Sequence, residues 1–168
     1  MTNQLTVYQL QELLTIQKEF DDRIPTLNIE DTKTAYIVEF FEWFNTLETF
    51  KNWKKKPGKP IETQLDELAD MLAFGLSIFN QSDMDVGYLE EYLPDAASEY
   101  DYKKSQLIYH FMEDVTNFGV ELDEAVLIPL NIAYNLYTID QLIVAYKRKM
   151  KRNHARQNGT ADTDKGYV

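Results

Sequence analysis

Apolar positions recur at three- and four-residue steps along almost the whole chain, the spacing of amphipathic helices rather than strands. The pattern predicts a first helix over about 5–24, stopped before Pro25. A long second helix is expected in "NIEDTKTAYIVEFFEWFNTLETFKNW", with Asp31 or Thr32 as its N-cap. The Pro-Gly step and second proline of "KKKPGKP" break it, and "IETQLDELADMLAFGLSIFN" resumes the pattern to about Asn80. Residues 81–101 are acidic and interrupted by Pro94, and read as a mobile insert or a short helix with a loop. "YKKSQLIYHFMEDVTNFG" reads as a helix with Gly119 just past its end. "ELDEAVLIPLNIAYNLYT" is a further helix in which Pro129 is a site for a kink. Thr138 caps a last helix, with Asp140 and Gln141 in its first turn. The polar "NGTADTDKGYV" is expected to be mobile until a ligand orders it. With no repeat and no convincing strand, the expected fold is an all-α helical bundle. Residues 1–156 form its single domain, with the insert at 81–101 and a flexible tail at 157–168.

Length and composition fit that picture, since 168 residues at 44% hydrophobic can bury one real core. The absence of cysteine excludes a disulfide scaffold and a thiolate zinc site, and agrees with a reducing cytoplasm. "MTNQLTVYQLQELL" has neither a basic start nor an unbroken apolar core, so no signal peptide is expected. No apolar run approaches the roughly 20 residues that span a bilayer, so no membrane association is expected either. A net charge of -11 argues against a nucleic-acid partner, whose binding depends on neutralising phosphates. The 17 Lys and Arg are unevenly placed, five within 51–59 and six within 147–156. Two local basic clusters on an acidic chain suit a small anionic ligand. The plainer alternative for the second cluster is complementation of a helix dipole.

Candidate chemistry lies in the second and third helices. Glu39 and Glu42 project about 60° apart on one helix face, shared with Ala35, Trp43, Thr46 and Phe50. Ile37, Phe40, Phe41, Phe44 and Leu47 lie opposite, so the helix is apolar on nearly every side and expected to be central. Glu67 and Asp70 repeat the spacing among Leu65, Leu68, Met71, Leu72 and Phe74. The short Pro/Gly connection makes these two helices antiparallel neighbours, which would bring four carboxylates together. Charges there must be paired, protonated or metal-bound. Such acid pairs are common on solvated faces, and either alone would mean little. Two of them on consecutive apolar helices favour a metal site, and oxygen ligands favour Mg²⁺, or alternatively Mn²⁺, over zinc. There is no P-loop and no dinucleotide fingerprint. His110 in "LIYHFME" reads as helix packing, and His154 sits in the basic segment.

The ordered pattern E-x-x-E followed by E-x-x-D resembles the all-α nucleoside triphosphate pyrophosphatases. Within them the chain is similar to the dimeric dUTPases, especially those of staphylococcal phages. The resemblance spans most of the chain: Gln17 on the first helix; Glu39, Glu42 and Asn45; Phe50, Lys51 and Trp53; Glu67 and Asp70. It ends with Ala145, Tyr146, Lys149, Asn153, Arg156, Gln157, Gly166 and Tyr167. It implies Mg²⁺-dependent hydrolysis of dUTP, and of dUDP as well, to dUMP, which keeps uracil out of DNA. Glu39, Glu42, Glu67 and Asp70 would hold the metal, and one of the first pair, Glu39 in preference to Glu42, would also orient or deprotonate the attacking water. Gln17, with Asp21 beside it, would read the uracil edge, although Gln17 taken alone reads as surface. Trp53 would offer an aromatic surface to the nucleoside, with a core aromatic as the alternative. Asn45 belongs to the substrate set. Lys51, Lys149, Asn153 and Arg156 would hold phosphate oxygens, the last three on one helix face. Tyr167 would close with the tail over the substrate.

The chain departs from the family pattern at Met150, where Asn is common, at Thr46, where Glu is common, and at Ala73, where His is common. The gap from Gln157 to Gly166 is also longer than usual. These departures fall on the sugar and tail regions and leave all four carboxylates in place. Two other functions stay open at this point. One is a house-cleaning pyrophosphatase for a different nucleotide. The other is an inducer that binds a pathogenicity-island repressor, for which the acidic 81–101 segment would be the surface. The resemblance also implies a homodimer.

Overall fold

In a computed structural model the described residues are 3–104, 108–109, 112–113 and 124–168. Among them are six α-helices and no strand: α1 (Val7–Asp21), α2 (Ile29–Leu47), α3 (Ile61–Gln81), α4 (Val86–Tyr92), α5 (Glu124–Leu136) and α6 (Ile139–Gln157). Short 3₁₀ turns follow α4 at Leu93–Ala97 and lie in the tail at Thr163–Lys165. The fold is all-α, as the periodicity requires. Of the helix expected to close on Gly119, only Ile108, Tyr109, Met112 and Glu113 are described beyond residue 104, and all four are helical. His110 and Gly119 lie outside the described residues.

Helix starts follow capping chemistry. Thr6 opens α1 and Thr138 opens α6, each in a capping box with a glutamine three residues on. α2 begins earlier than expected, with Asn28 rather than Asp31 or Thr32 as its cap. The Asn28 side chain accepts from the Asp31 amide at 2.9 Å, which draws Asp31 and Thr32 into the first turn.

The end of α2 also differs from the expectation. The apolar pattern continues to Trp53, yet the helix stops at Leu47 because Glu48 turns left-handed at φ 55. A non-glycine there costs on the order of 1–2 kcal/mol. The Glu48 carboxylate offsets that cost: it accepts from Lys51 Nζ (3.1 Å), Lys54 Nζ (2.6 Å) and the Gly58 amide (3.0 Å). Its side chain is only 2% exposed, and these donors hold its pKa down at about 2. Phe50, Lys51 and Trp53 therefore sit on a loop, with Phe50 stacked on Phe44.

α3, not α2, is the central helix. It packs on α1, α2, α5 and α6, and nearly every residue from Leu65 to Phe79 except the acids and Phe74 is buried. α2 gives it the stripe Tyr36, Phe40, Trp43, Phe44 and Leu47, while Val38 (48%) and Phe41 (37%) face outward. The pair is antiparallel. Gln81 at the end of α3 donates to Thr32 near the start of α2, and the Lys59 amide donates to the Thr46 carbonyl at the other end. Trp43 Nε1 donates to the Tyr137 hydroxyl, which donates to Gln64, so α2, α3 and the α5–α6 junction share one polar tie.

Residues 86–104 close the bundle against α5. Leu89, Leu93 and Ala96 are buried, Asn131 donates to the carbonyls of Ala96 and Ser98, and Asn135 accepts from the Tyr100 amide. Removing 81–101 would thus remove part of the core along with the acidic surface.

Gly75 fixes how closely α3 meets α5: a Cβ there would lie 2.2 Å from the Ala125 carbonyl oxygen and 3.2 Å from the Tyr36 ring. Gly75→Ala is expected to cost about 1–3 kcal/mol of stability, read by urea denaturation. An unchanged midpoint would show that the two helices can separate at no cost.

A candidate metal centre between α2, α3 and α6

The two hydrogen bonds that bracket the α2–α3 pair set the register of its acids. Midway between them, Glu39 comes opposite Asp70 and Glu42 opposite Glu67. Glu39, Glu67 and Asp70 converge, each offering a carboxylate oxygen within 4.8 Å of the others. All three are half-buried, while Glu42 stands on the exposed rim one turn along α2. Glu42 still contributes charge, raising the pKa of both Glu39 and Glu67.

Burial, then the neighbouring carboxylates Asp70, Glu42 and Glu67, push Glu39 up to about 8. Glu67 and Asp70 are also raised, by burial first, although Lys149 pulls both back. Glu39 Oε2 is buried with no hydrogen-bond partner. A carboxylate oxygen in that position costs free energy unless something positive reaches it. Three hard oxygen donors, one of them orphaned, fit a divalent cation of the Mg²⁺ type, which tolerates few protein ligands and keeps places for water and phosphate.

α6 crosses beside this cluster and brings its cations in register with acids. Lys149 Nζ lies 2.6 Å from Asp70 Oδ2, with both side chains mostly sheltered. Lys147 pairs with Glu12 on α1, and Arg148 with Asp66 on the outer flank of α3. Arg152 and Arg156 both turn to Asp162 in the tail. Arg156 also donates to Asn153 at 2.9 Å, lies under the Tyr167 ring at 5.0 Å, and lowers the pKa of Asp70. The terminal residues named in the sequence, Lys149, Asn153, Arg156 and Tyr167, are therefore gathered on the side of α6 that carries the cluster.

Gln17 is buried rather than on the surface. Its Nε2 donates to Asp21 Oδ1 at 2.8 Å and its Oε1 accepts from the Tyr146 hydroxyl at 3.1 Å. Asp21 Oδ2 is buried without a partner, and burial raises the Asp21 pKa. The remaining candidates lie apart from these groups. Lys51 is committed to Glu48, Trp53 is 71% exposed on its loop, and Asn45 is exposed on α2. His154 is structural: its Nδ1 meets the Arg23 guanidinium, which can only donate, and its ring packs edge-on against Phe20.

Sequence reasoning missed Glu48 and Asp162 and gave Tyr146, though part of the resemblance, no role. Their partners are chosen by the fold, although Glu48 and Asp162 share one signal, an acid beside a basic cluster.

A family model described as dUTPase matches residues 9–160, most of the chain and all four acids of the two pairs. Comparison with curated proteins returned no match.

The raised Glu39 pKa sets a stability test. An acid whose folded pKa of about 8 exceeds its unfolded 4.5 binds its proton more tightly when folded. Its contribution is complete below pH 4.5 and is lost as pH rises through 8. The depressed Glu48 and Asp162 act only below that window, and the raised Tyr137 and Tyr146 only above it. Protein in chelator is expected to melt at lower temperature at pH 8 than at pH 6, and Mg²⁺ is expected to restore the loss. Equal melts at both pH values in chelator would contradict a strained carboxylate cluster.

Proposed function

The chain belongs to the all-α dUTPase family and is a dUTP diphosphatase, and from that premise we propose how its residues divide the work. Glu39, Glu42, Glu67 and Asp70 would hold Mg²⁺. The observation that carries this reading is the convergence of Glu39, Glu67 and Asp70 within 4.8 Å, with Glu39 Oε2 buried and unpartnered. The bound ion would supply neutralisation of phosphate charge and a lowered pKa for a coordinated water. With its charge balanced by the bound cation, Glu39 would be ionised and would take the proton from the attacking water. As the new P–O bond forms, the α–β phosphoanhydride opens to dUMP and pyrophosphate; with dUDP the second product is phosphate.

Lys149, Asn153 and Arg156 present donors from one face of α6 to the polyphosphate, with Lys51 approaching from the α2–α3 loop. Lys149 would share its donors between Asp70 and the phosphate, which links cation uptake to phosphate binding. The Gln17–Asp21 pair supplies an amide and a carboxylate for the uracil edge, held in orientation by Tyr146. Trp53 on its exposed loop would cover the nucleoside, Asn45 would contact the substrate from the rim of α2, and Tyr167 would fold over it from the tail. The outward Val38 and Phe41 of α2 offer apolar surface for a homodimer.

Two assays test the reading. Glu67→Gln is expected to lower turnover of dUTP by at least 10³-fold with helix content unchanged by circular dichroism; near-normal turnover at saturating Mg²⁺ would remove Glu67 from the metal set. With dUTP, dCTP, dTTP and UTP compared at equal concentration, dUTP is expected to give the highest kcat/KM. Preference for another nucleotide would overturn the uracil assignment.

A further inference from the structure

The stretch between Gln157 and Gly166, longer than the family pattern, is occupied by a turn built around one carboxylate. Asp162 receives Arg152 in fork geometry, Nε at 3.0 Å and Nη2 at 2.9 Å, and Arg156 Nε at 2.6 Å. The two arginines are four residues apart on α6 and so share a face. The Arg156 and Asp162 side chains are both mostly sheltered, at 17% and 15% exposure, so this contact is more than a solvated surface pair. The backbone is bent to make it. Asp162 lies in the left-handed region at φ 48 and ψ 41, and the turn reverses through Gly159 and Gly166 at positive φ. A non-glycine in that region carries strain of roughly 1 kcal/mol, held here by the two guanidinium groups.

A guanidinium fork recognises a carboxylate and a phosphate through the same paired oxygens. Arg156 lies on the same helix as Lys149, which pairs with Asp70 of the carboxylate cluster, and its charge also lowers the Asp70 pKa. We propose that Asp162 is an internal stand-in for a phosphate: it occupies the Arg152–Arg156 pair in the empty enzyme and is exchanged for the nucleotide polyphosphate. The inference rests on the reading of Arg156 as a phosphate contact and adds Arg152 as its companion, with Asp162 as their competitor. A polyphosphate carries more charge and more oxygens than one carboxylate, so it wins the exchange, whereas a monoanion gains nothing by it. The exchange frees the turn that carries Tyr167, whose ring already rests on Arg156. The affinity observed for nucleotide is thus reduced by the fraction of molecules in which the arginines are occupied.

Calorimetric titration with an α,β-imido analogue of dUTP in saturating Mg²⁺ tests this. Asp162→Asn is expected to tighten binding about tenfold relative to the natural chain. Asp162→Ala, which leaves no side-chain acceptor for the arginines, is expected to do the same. In the Asp162→Ala background, Arg152→Ala is expected to abolish the gain. Unchanged or weaker binding in both Asp162 variants, with melting curves showing them folded, would mean that Asp162 holds the arginines in place for substrate and would overturn the exchange. If Arg156→Ala leaves affinity unaltered in every background, the phosphate reading of Arg156 fails and the inference with it. If Arg156→Ala weakens binding while the Asp162 variants do not tighten it, only the exchange is lost.

Discussion

Mutual repulsion among Glu39, Glu67 and Asp70 is the constraint to which the rest of the molecule answers. Three carboxylates within 4.8 Å of one another repel in a half-buried seam, and Lys149, paired with Asp70, offsets only part of this and leaves Glu39 Oε2 without a partner. α3 is anchored on four neighbouring helices and cannot turn its acids away. α2 is held to it by hydrogen bonds at both ends and by a continuous aromatic stripe between them. The scaffold therefore holds the acids in a state that protonation or a further cation would relieve, so the fold as well as the carboxylates would set the affinity for a bound cation.

A second regularity concerns the groups that would meet a polyanion. Lys51 and Lys54 are held by Glu48, Lys149 by Asp70, and Arg152 with Arg156 by Asp162. Each of these basic groups is paired internally with an acid. These pairs keep long side chains in defined positions and limit the attraction of the site for stray anions. If the proposed roles hold, cation and nucleotide binding would be coupled through Lys149, whose three N–H donors can be shared between Asp70 and a phosphate.

Much of this could be read from residue order. The α-helical period, the breaking power of "KKKPGKP", the Thr138 cap and the pairing of the two acid motifs are local signals, and local signals survive folding. What escaped depends on which groups the folded chain brings together. The stop of α2 needs the Gly58 amide, ten residues past Glu48, to make a left-handed glutamate tolerable. The outward turn of Glu42 depends on which side of α2 the aromatic stripe buries, and that is settled by α3. Gln17 reads as surface until Asp21 and Tyr146 are seen to enclose it. Asp162 is one acid in a polar tail until the arginines of α6 select it.

The loop that Glu48 closes has a consequence for the order of events in folding. All four acids of the two pairs lie on one helical hairpin whose connection is tied locally: Thr46 to Lys59, and Glu48 to Lys51, Lys54 and Gly58. Contacts of short sequence separation close with little loss of chain entropy and so tend to form first. Gln17 and the α6 cations, brought from the two ends of the chain, join only when the long loops close. The most repulsive part of the molecule is thereby assembled while it is still open to solvent, where water and counter-ions screen its charges before the remaining helices shut them in.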